Sequence, residues 1–236
     1  MHQLEFRLLG PFEVRRGDAP VPLGTRRERA VLALLALSVD EAVAPERVVD
    51  ELGTTPGAVQ VYVARLRRRL GRDAIATRPS GYALAADTAR IDAAVFEELV
   101  RRAGGAAAEE RVGLLVRALA LWRGPALADF RLEAFARAAI ARLEELRLSA
   151  HEARLGTELE LGREADVVPL LSALVAEHPF RERLCALLIT ALYRLGRQAD
   201  ALAVYRDTRR RLADELGVEP SPALRRLEVA VLRQEI

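Results

Sequence analysis

The run Thr55-Pro56-Gly57-Ala58-Val59-Gln60-Val61-Tyr62-Val63-Ala64-Arg65-Leu66-Arg67-Arg68-Arg69-Leu70, followed by Arg78-Pro79-Ser80-Gly81-Tyr82, decides the fold. Val59, Val63, Leu66 and Leu70 recur at helical spacing, so a helix from a Thr54 or Thr55 cap to about Leu70 buries that stripe. Its opposite face carries Gly57, Gln60, Val61, Ala64, Arg67 and Arg68. Beyond it, 74–77 and 82–85 alternate as a hairpin closed around Pro79-Ser80-Gly81. Within 54–85 six arginines stand against the single acid Asp73, a net charge of +5. A basic helix followed by a basic hairpin is the pair of elements that a winged helix presents to DNA.

Upstream, the rest of that module is legible. Leu4–Leu9, Glu13–Arg16 and Pro20–Leu23 read as short strands, with turns at Gly10-Pro11 and Gly17-Asp18. Thr25 and Glu28 form a capping box for a helix with Val31, Leu34, Leu35 and Leu37 inward. A second helix starts at Pro45, turns Val48, Val49 and Leu52 inward, and stops at Gly53. Strands, three helices and a hairpin give a winged helix over residues 1–90.

Downstream of Asp92 the periodicity is helical throughout, over 92–103, 107–122, 131–161, 163–177, 181–195, 197–215 and 221–234. Leu161-Gly162-Arg163-Glu164-Ala165-Asp166 recurs as Leu195-Gly196-Arg197-Gln198-Ala199-Asp200, offset by 34 residues. That period belongs to tetratricopeptide repeats, with the glycine at the turn between helices. Ala201 and Tyr205 take the small and aromatic contact positions, Val167 and Leu171 replace them in the first copy, and Pro179 ends it. The fold class is therefore an α+β winged helix followed by an all-α, tetratricopeptide-like domain over 91–236, mainly α overall.

Composition narrows the function. Of 236 residues 51% are hydrophobic and only 5% aromatic, so Ala, Leu and Val build the core. All 36 basic residues are arginine, and the net charge of +2 carries no signal in itself. Its distribution does: residues 1–90 hold 14 arginines against 11 acids, and 91–236 hold 22 against 23. A single cysteine, Cys185, excludes an internal disulfide and a thiolate metal cage. No apolar run reaches membrane-spanning length and the N-terminus does not read as a signal peptide, which predicts a soluble, cytoplasmic protein, nucleoid-associated if it binds DNA. His2, His151 and His178 show no metal-ligand spacing, and no phosphate loop or dinucleotide fingerprint occurs. Gly104-Gly105 reads as a turn. Glu144, Glu145, Glu158 and Glu160 read as solvated carboxylates, and Cys185 as a small buried hydrophobe. No cofactor, metal or enzymatic activity is expected.

Three stretches of the first half resemble the Streptomyces antibiotic regulatory protein family. They are Pro22-Leu23-Gly24 with Arg26-Arg27-Glu28-Arg29-Ala30-Val31-Leu32-Ala33-Leu34-Leu35-Ala36-Leu37, Val59–Arg68, and Arg78-Pro79-Ser80-Gly81-Tyr82-Ala83-Leu84. In the second half 118–124, 178–184 and 212–220 resemble that family's bacterial transcriptional activation domain. The resemblance covers essentially the whole chain, which ends where the family's short form ends. It implies an OmpR-type winged helix fused to an activation domain, binding tandem repeats in double-stranded promoter DNA and recruiting RNA polymerase holoenzyme to secondary-metabolite genes. A head-to-tail dimer on DNA would suit such operators. Carried over by position, DNA contacts fall on Gln60, Val61, Ala64, Arg65, Arg67 and Arg68 of the helix, and on Thr77 and Arg78 of the wing.

The chemistry of those residue types agrees. Glutamine reads adenine bidentately, arginine reads guanine, and Val61 or Ala64 can meet a thymine methyl. Arginines further along the helix meet phosphate. Arg65→Ala or Arg67→Ala is expected to weaken binding to every sequence, and Gln60→Ala to relax discrimination at one base. Arg69 and Arg72 need no more than the preference of cations for a helix C-terminus. One departure stands out: the segment between the second and third helices is only Gly53-Thr54-Thr55-Pro56, whereas the family has a longer stretch containing Trp and Pro. It keeps open a rival reading, a protein-interaction module whose shortened winged helix no longer reads DNA.

Overall fold

The computed structural model describes residues 4–39, 41–85 and 89–235; His2 lies outside them. The chain is mainly helical with a small N-terminal sheet region, and packing divides it into two compact units. The first holds residues up to Arg102 together with Val116–Leu148, and the second Ala103–Leu115 with Ser149 onward.

In the first unit, β1 (Leu4–Arg7), β2 (Glu13–Arg16) and β3 (Ala19–Pro20) form an antiparallel meander. Leu4 faces Arg16 and Phe6 faces Val14 across the first pair. A short β6 (Ala89–Ile91) adds to the other edge of β1 in parallel, giving the order β3-β2-β1-β6. Two strands are shorter than their sequence pattern. β1 stops at Arg7 because the amides of Leu8 and Leu9 leave the ladder for the two carboxylate oxygens of Asp92, at 2.7 and 3.1 Å. β3 is assigned only to Ala19–Pro20, although the Val21 amide still donates to the Val14 carbonyl at 2.8 Å just beyond it.

Three helices follow: α1 (Arg26–Leu37), α2 (Pro45–Leu52) and α3 (Pro56–Leu70). Thr25 and Glu28 form the expected capping box, and Gly53 closes α2 in a left-handed conformation. α1 buries an unbroken run, Ala30–Ala36, because it packs against α2, α3 and the hairpin strand β5 (Gly81–Leu84). β5 pairs antiparallel with β4 (Ile75–Arg78), and Val43 bridges to Tyr82 from outside the hairpin.

α4 (Asp92–Ala103) and the segment 116–148 complete this unit. Five of the six phenylalanines, Phe6, Phe12, Phe96, Phe130 and Phe135, are buried in it. Phe96 meets Trp122 edge to face at 5.4 Å, and Phe130 contacts Phe12 at 6.0 Å and Phe135 at 5.6 Å. Buried aromatics add direction to burial, since their ring edges and faces carry opposite partial charge. Of the carboxylates read as solvated, Glu144 accepts the Ala126 amide at 2.7 Å and Glu158 is buried beside Arg154 at 3.2 Å. Glu144 is therefore a structural tie that periodicity does not reveal, whereas Glu158 pairs one turn back along its own helix.

The second unit is built of Ala/Leu helices: α5 (Ala108–Leu119) up to Leu115, α6 (Ala134–Glu160) from Ser149, α7 (Glu164–Glu177), α8 (Glu182–Arg194), α9 (Gln198–Arg211) and α10 (Pro222–Arg233). α8 packs on both α7 and α9, and α10 on α8 and α9. The repeated Leu-Gly-Arg sequences form matched turns. Gly162 and Gly196 both have φ +74°, and the following arginine amides reach back to Glu158 and Leu192 at 3.0 and 2.9 Å. This is the Schellman closure, which needs a left-handed residue at the glycine. Ala201, Tyr205, Val167, Leu171 and Cys185 are all buried. The helix expected to run to 215 ends at Arg211, and Leu212–Leu216 widens into a π-type turn closed by Gly217 in a left-handed conformation. Among the described residues no helix is long and apolar enough to cross a membrane, and no cluster of His, Cys, Asp and Glu could hold a metal ion.

Candidate nucleic-acid interface

α3 starts where Thr55 accepts the Ala58 amide at 3.3 Å, with Pro56 in the first turn. Val59, Val63, Leu66 and Leu70 are buried against α1 and α2, so their seam fixes which face looks out. That face presents Gly57, Gln60, Val61, Ala64, Arg65 and Arg68, all exposed, with Val61 at 46%. Nothing approaches a Cβ position on Gly57 within 4 Å, so the front of the helix stands in the open.

The five arginines from 65 to 72 have different surroundings. Arg67 lies on the flank towards the hairpin: its Nε donates to the Ile75 carbonyl at 3.0 Å and its Nη2 to the Thr77 hydroxyl at 2.7 Å. Its guanidinium also stands 5.9 Å from the centre of the Tyr82 ring. Arg69 lies on the other flank, donating to the Leu23 carbonyl at 2.9 Å and to Glu28 at 2.8 Å. Arg65 reaches the other oxygen of Glu28 at 3.4 Å. Arg68 and Arg72 form no ion pair or hydrogen bond among the described residues. Arg68 stands on the ridge between two shallow clefts, one lined by Gly24, Thr25, Glu28, Arg65 and Arg69, the other by Val61, Ala64, Arg67 and Arg72.

Glu28 is the residue whose second role sequence reasoning misses. The capping box is visible locally, but the two α3 arginines are 37 and 41 positions away. Its side chain is only 1% exposed. Burial works against its charge, yet Arg69, the Thr25 amide and Arg65 outweigh that cost and hold its pKa below the ordinary carboxylate value. Gly24 leaves room for this cluster: with φ +85°, a Cβ there would run into the Arg69 guanidinium and the Glu28 carboxylate. Arg16 makes a second long-range tie, donating to the Leu70 carbonyl at 2.9 Å and so capping the end of α3 from β2.

The hairpin is set by backbone pairing. Arg78 pairs with Gly81 and Thr77 with Tyr82, leaving Pro79 and Ser80 at the tip. Tyr82 exchanges both backbone hydrogen bonds with Val43, at 2.8 and 2.9 Å. Gly81 has φ +138° and a Cβ there would strike the Val43 carbonyl, so only glycine fits. Thr77 and Arg78 are exposed; Thr77 is engaged by Arg67, and the Arg78 side chain has no partner among the described residues. The sequence-read residues Gln60, Val61, Ala64, Arg65, Arg67, Arg68, Thr77 and Arg78 thus fall on α3 and the hairpin of one unit, joined by the Arg67 bridge.

Similarity to known proteins extends over the whole chain. The family model of the bacterial transcriptional activator domain matches residues 91–232. The regulatory protein AfsR of Streptomyces griseus is 40% identical over 98% of this chain, which spans 25% of that relative's length. The regulatory protein DnrI of Streptomyces peucetius is 36% identical, over 98% of this chain and 93% of its own. The solved structure of Mycobacterium tuberculosis EmbR, in complex with a low-affinity phosphopeptide, matches with a TM-score of 0.94 at 37% identity, covering all of this chain and 66% of that one. With a family model over more than half its length and near full-length similarity to named regulators, the chain belongs to the bacterial transcriptional activator domain family of Streptomyces antibiotic regulatory protein-type transcription regulators.

Proposed function

We propose that this chain is a sequence-specific DNA-binding transcription activator of secondary-metabolite, antibiotic-type biosynthesis genes. In this reading residues 1–90 act as an OmpR-type winged helix and residues 91–236 as a tetratricopeptide-like activation domain. It binds tandem repeats in promoter DNA, as a dimer on that DNA, and recruits RNA polymerase holoenzyme at the nucleoid. No enzymatic step is assigned to it.

The observation that carries the reading is the outward face of α3. There Gln60, Val61 and Ala64 are exposed around the unpaired Arg68, while the unpaired Arg78 stands at the hairpin tip. Gln60, Val61 and Ala64 have the chemistry of base reading in a major groove, and Arg68 that of a phosphate or guanine contact. Arg78 suits a minor groove, whose negative potential favours an inserted guanidinium. Arg65, Arg67 and Thr77 line the same surface and are occupied by partners of their own.

The test is selection from random duplexes by the full chain at two salt concentrations. Enrichment of a tandem motif supports the reading, and no enrichment even at low salt refutes it. One observation favours the rival, a protein-interaction module: α2 ends at Leu52 and α3 begins at Pro56, so only three residues join them. On that reading the same selection recovers nothing.

A further inference from the structure

Arg65, Arg68 and Arg69 lie within one turn of α3, yet their charges are treated differently. A buried carboxylate, Glu28, takes Arg69 at 2.8 Å and Arg65 at 3.4 Å and leaves Arg68 alone. The Arg69 and Arg65 side chains are 37% and 45% exposed, so the pair lies at the surface and not in the core. Glu28 is in turn locked by the Thr25 amide at 2.8 Å, and the Leu23 carbonyl takes a further donor of Arg69. A carboxylate and a phosphodiester each carry one negative charge and two acceptor oxygens that a guanidinium can bond.

We propose that Glu28 is an internal stand-in for a DNA phosphate: by holding the Arg65 and Arg69 guanidiniums and cancelling one of their two charges it weakens sequence-independent binding and raises discrimination by the α3 face. The inference rests on the DNA-reading assignment above. Sequence-independent affinity scales with the number of phosphates neutralised, whereas base contacts do not add to it. Withholding two arginines therefore lowers affinity for random DNA more than affinity for the operator. Glu28 acts through the arginines, as a positioning residue.

The experiment measures the salt dependence of binding to a random-sequence duplex by wild type, Glu28→Gln, Arg69→Gln, and the doubles Glu28→Gln/Arg65→Gln and Glu28→Gln/Arg69→Gln. Glutamine keeps an acceptor for the Thr25 amide but gives up the charge. Each arginine released steepens the log–log slope by about 0.9, which multiplies the affinity change between 50 and 200 mM salt by about 3.5-fold. The expected result is a steeper slope for Glu28→Gln by one or two such steps, reversed by one step in each double, with a smaller ratio of operator to random-duplex affinity. A merely structural role for Glu28 would lower operator affinity with the slope unchanged or shallower, and that result overturns the proposal. Trp122 fluorescence establishes that each variant is folded. If Glu28→Gln is not, Arg69→Gln against wild type carries the test: equal slopes support the proposal, and a slope shallower by about 0.9 overturns it. Failure of the wild type to bind any duplex at the lowest salt would instead refute the DNA-reading assignment, and the inference with it.

Discussion

Replacing Asp92 by alanine strips two buried amides of their acceptor. The Asp92 carboxylate is 3% exposed, accepts from Leu8 at 2.7 Å and Leu9 at 3.1 Å, and stands 3.8 Å from the Arg123 guanidinium. A buried N–H left without a partner costs about 1–3 kcal/mol, so the two amides together set a gross loss of about 2–6 kcal/mol. Part of that is offset, because the carboxylate itself is costly to bury. Burial raises its pKa above the ordinary aspartate value despite the Leu8 and Leu9 amides and Arg123. A net loss of about 3 kcal/mol for Asp92→Ala follows. Asp92→Asn keeps one acceptor and turns an NH2 group towards the other amide, which costs about 1–2 kcal/mol. Trp122 is the only tryptophan and belongs to the same unit, so urea unfolding followed by its fluorescence reads this loss directly. With a slope of about 2 kcal/mol per molar, the alanine midpoint falls by about 1.5 M. The pH dependence has a definite sign. A raised folded pKa means that Asp92's contribution is fully present below the ordinary value of about 3.9 and is lost as pH rises through the folded pKa. The advantage of wild type over Asp92→Asn is accordingly larger in acid than at neutral pH. An alanine midpoint within about 0.3 M of wild type, or a gap to Asp92→Asn that widens towards neutral pH, would refute the reasoning.

Three further outcomes follow from the geometry. Gly81→Ala pushes a Cβ into the Val43 carbonyl at a positive φ and should cost about 2 kcal/mol or more; hydrogen exchange at the Val43 and Tyr82 amides should accelerate, and unchanged protection would contradict the bridge. Gln60→Ala should relax preference at one operator position by about 1–3 kcal/mol, and an equal loss across all duplexes would remove Gln60 from base reading. Gly162→Ala and Gly196→Ala occupy equivalent turns with the same φ and open space around them, so each should cost about 1 kcal/mol by helical circular dichroism. A large difference between the two would argue against a shared turn geometry.

The legible parts of this fold are the ones written in local signals. The capping box at Thr25 and Glu28, Pro45 and Gly53 bounding α2, and the buried stripe of α3 all rest on residues within a few positions of one another. The two glycine turns were readable because nearly the same six-residue phrase, differing only at Glu164 and Gln198, occurs twice. What the sequence did not show is where charged side chains travel to find their partners. The ends of β1 and β2 are tied at a distance: Leu8 and Leu9 to Asp92, Phe12 to Asp129 at 2.8 Å, and Arg123 to the Leu9 carbonyl through its amide at 2.8 Å. No periodicity encodes such bonds, since a carboxylate on a helix reads as solvated until its neighbours are known. The same holds at the interface: outward positions of α3 follow from the stripe, but which arginines are already engaged depends on residues from α1, β2 and the hairpin.

That division of the arginines turns net charge into a number. The stretch 54–85 carries six arginines, and counting all of them as phosphate contacts predicts a salt slope of about −5.4. In the folded chain Arg65 and Arg69 are held by Glu28, and Arg67 is held by the hairpin through Ile75 and Thr77. Arg68, Arg72 and Arg78 remain, so this stretch supplies a slope of about −2.7. The difference is large enough to read in a single titration series on a random duplex, because it corresponds to about 40-fold in the affinity change between 50 and 200 mM salt. Arg67 gives the discriminating control. Its bonds are to a carbonyl and a hydroxyl, so its own charge is not neutralised, but its reach is spent on fixing the hairpin. Arg67→Gln should therefore weaken the hairpin tie while changing the slope little, whereas Arg68→Gln should make it shallower by about 0.9. Equal effects of the two would mean that a guanidinium bonded within the chain still meets phosphate, and that intrachain geometry does not decide which arginines DNA can use.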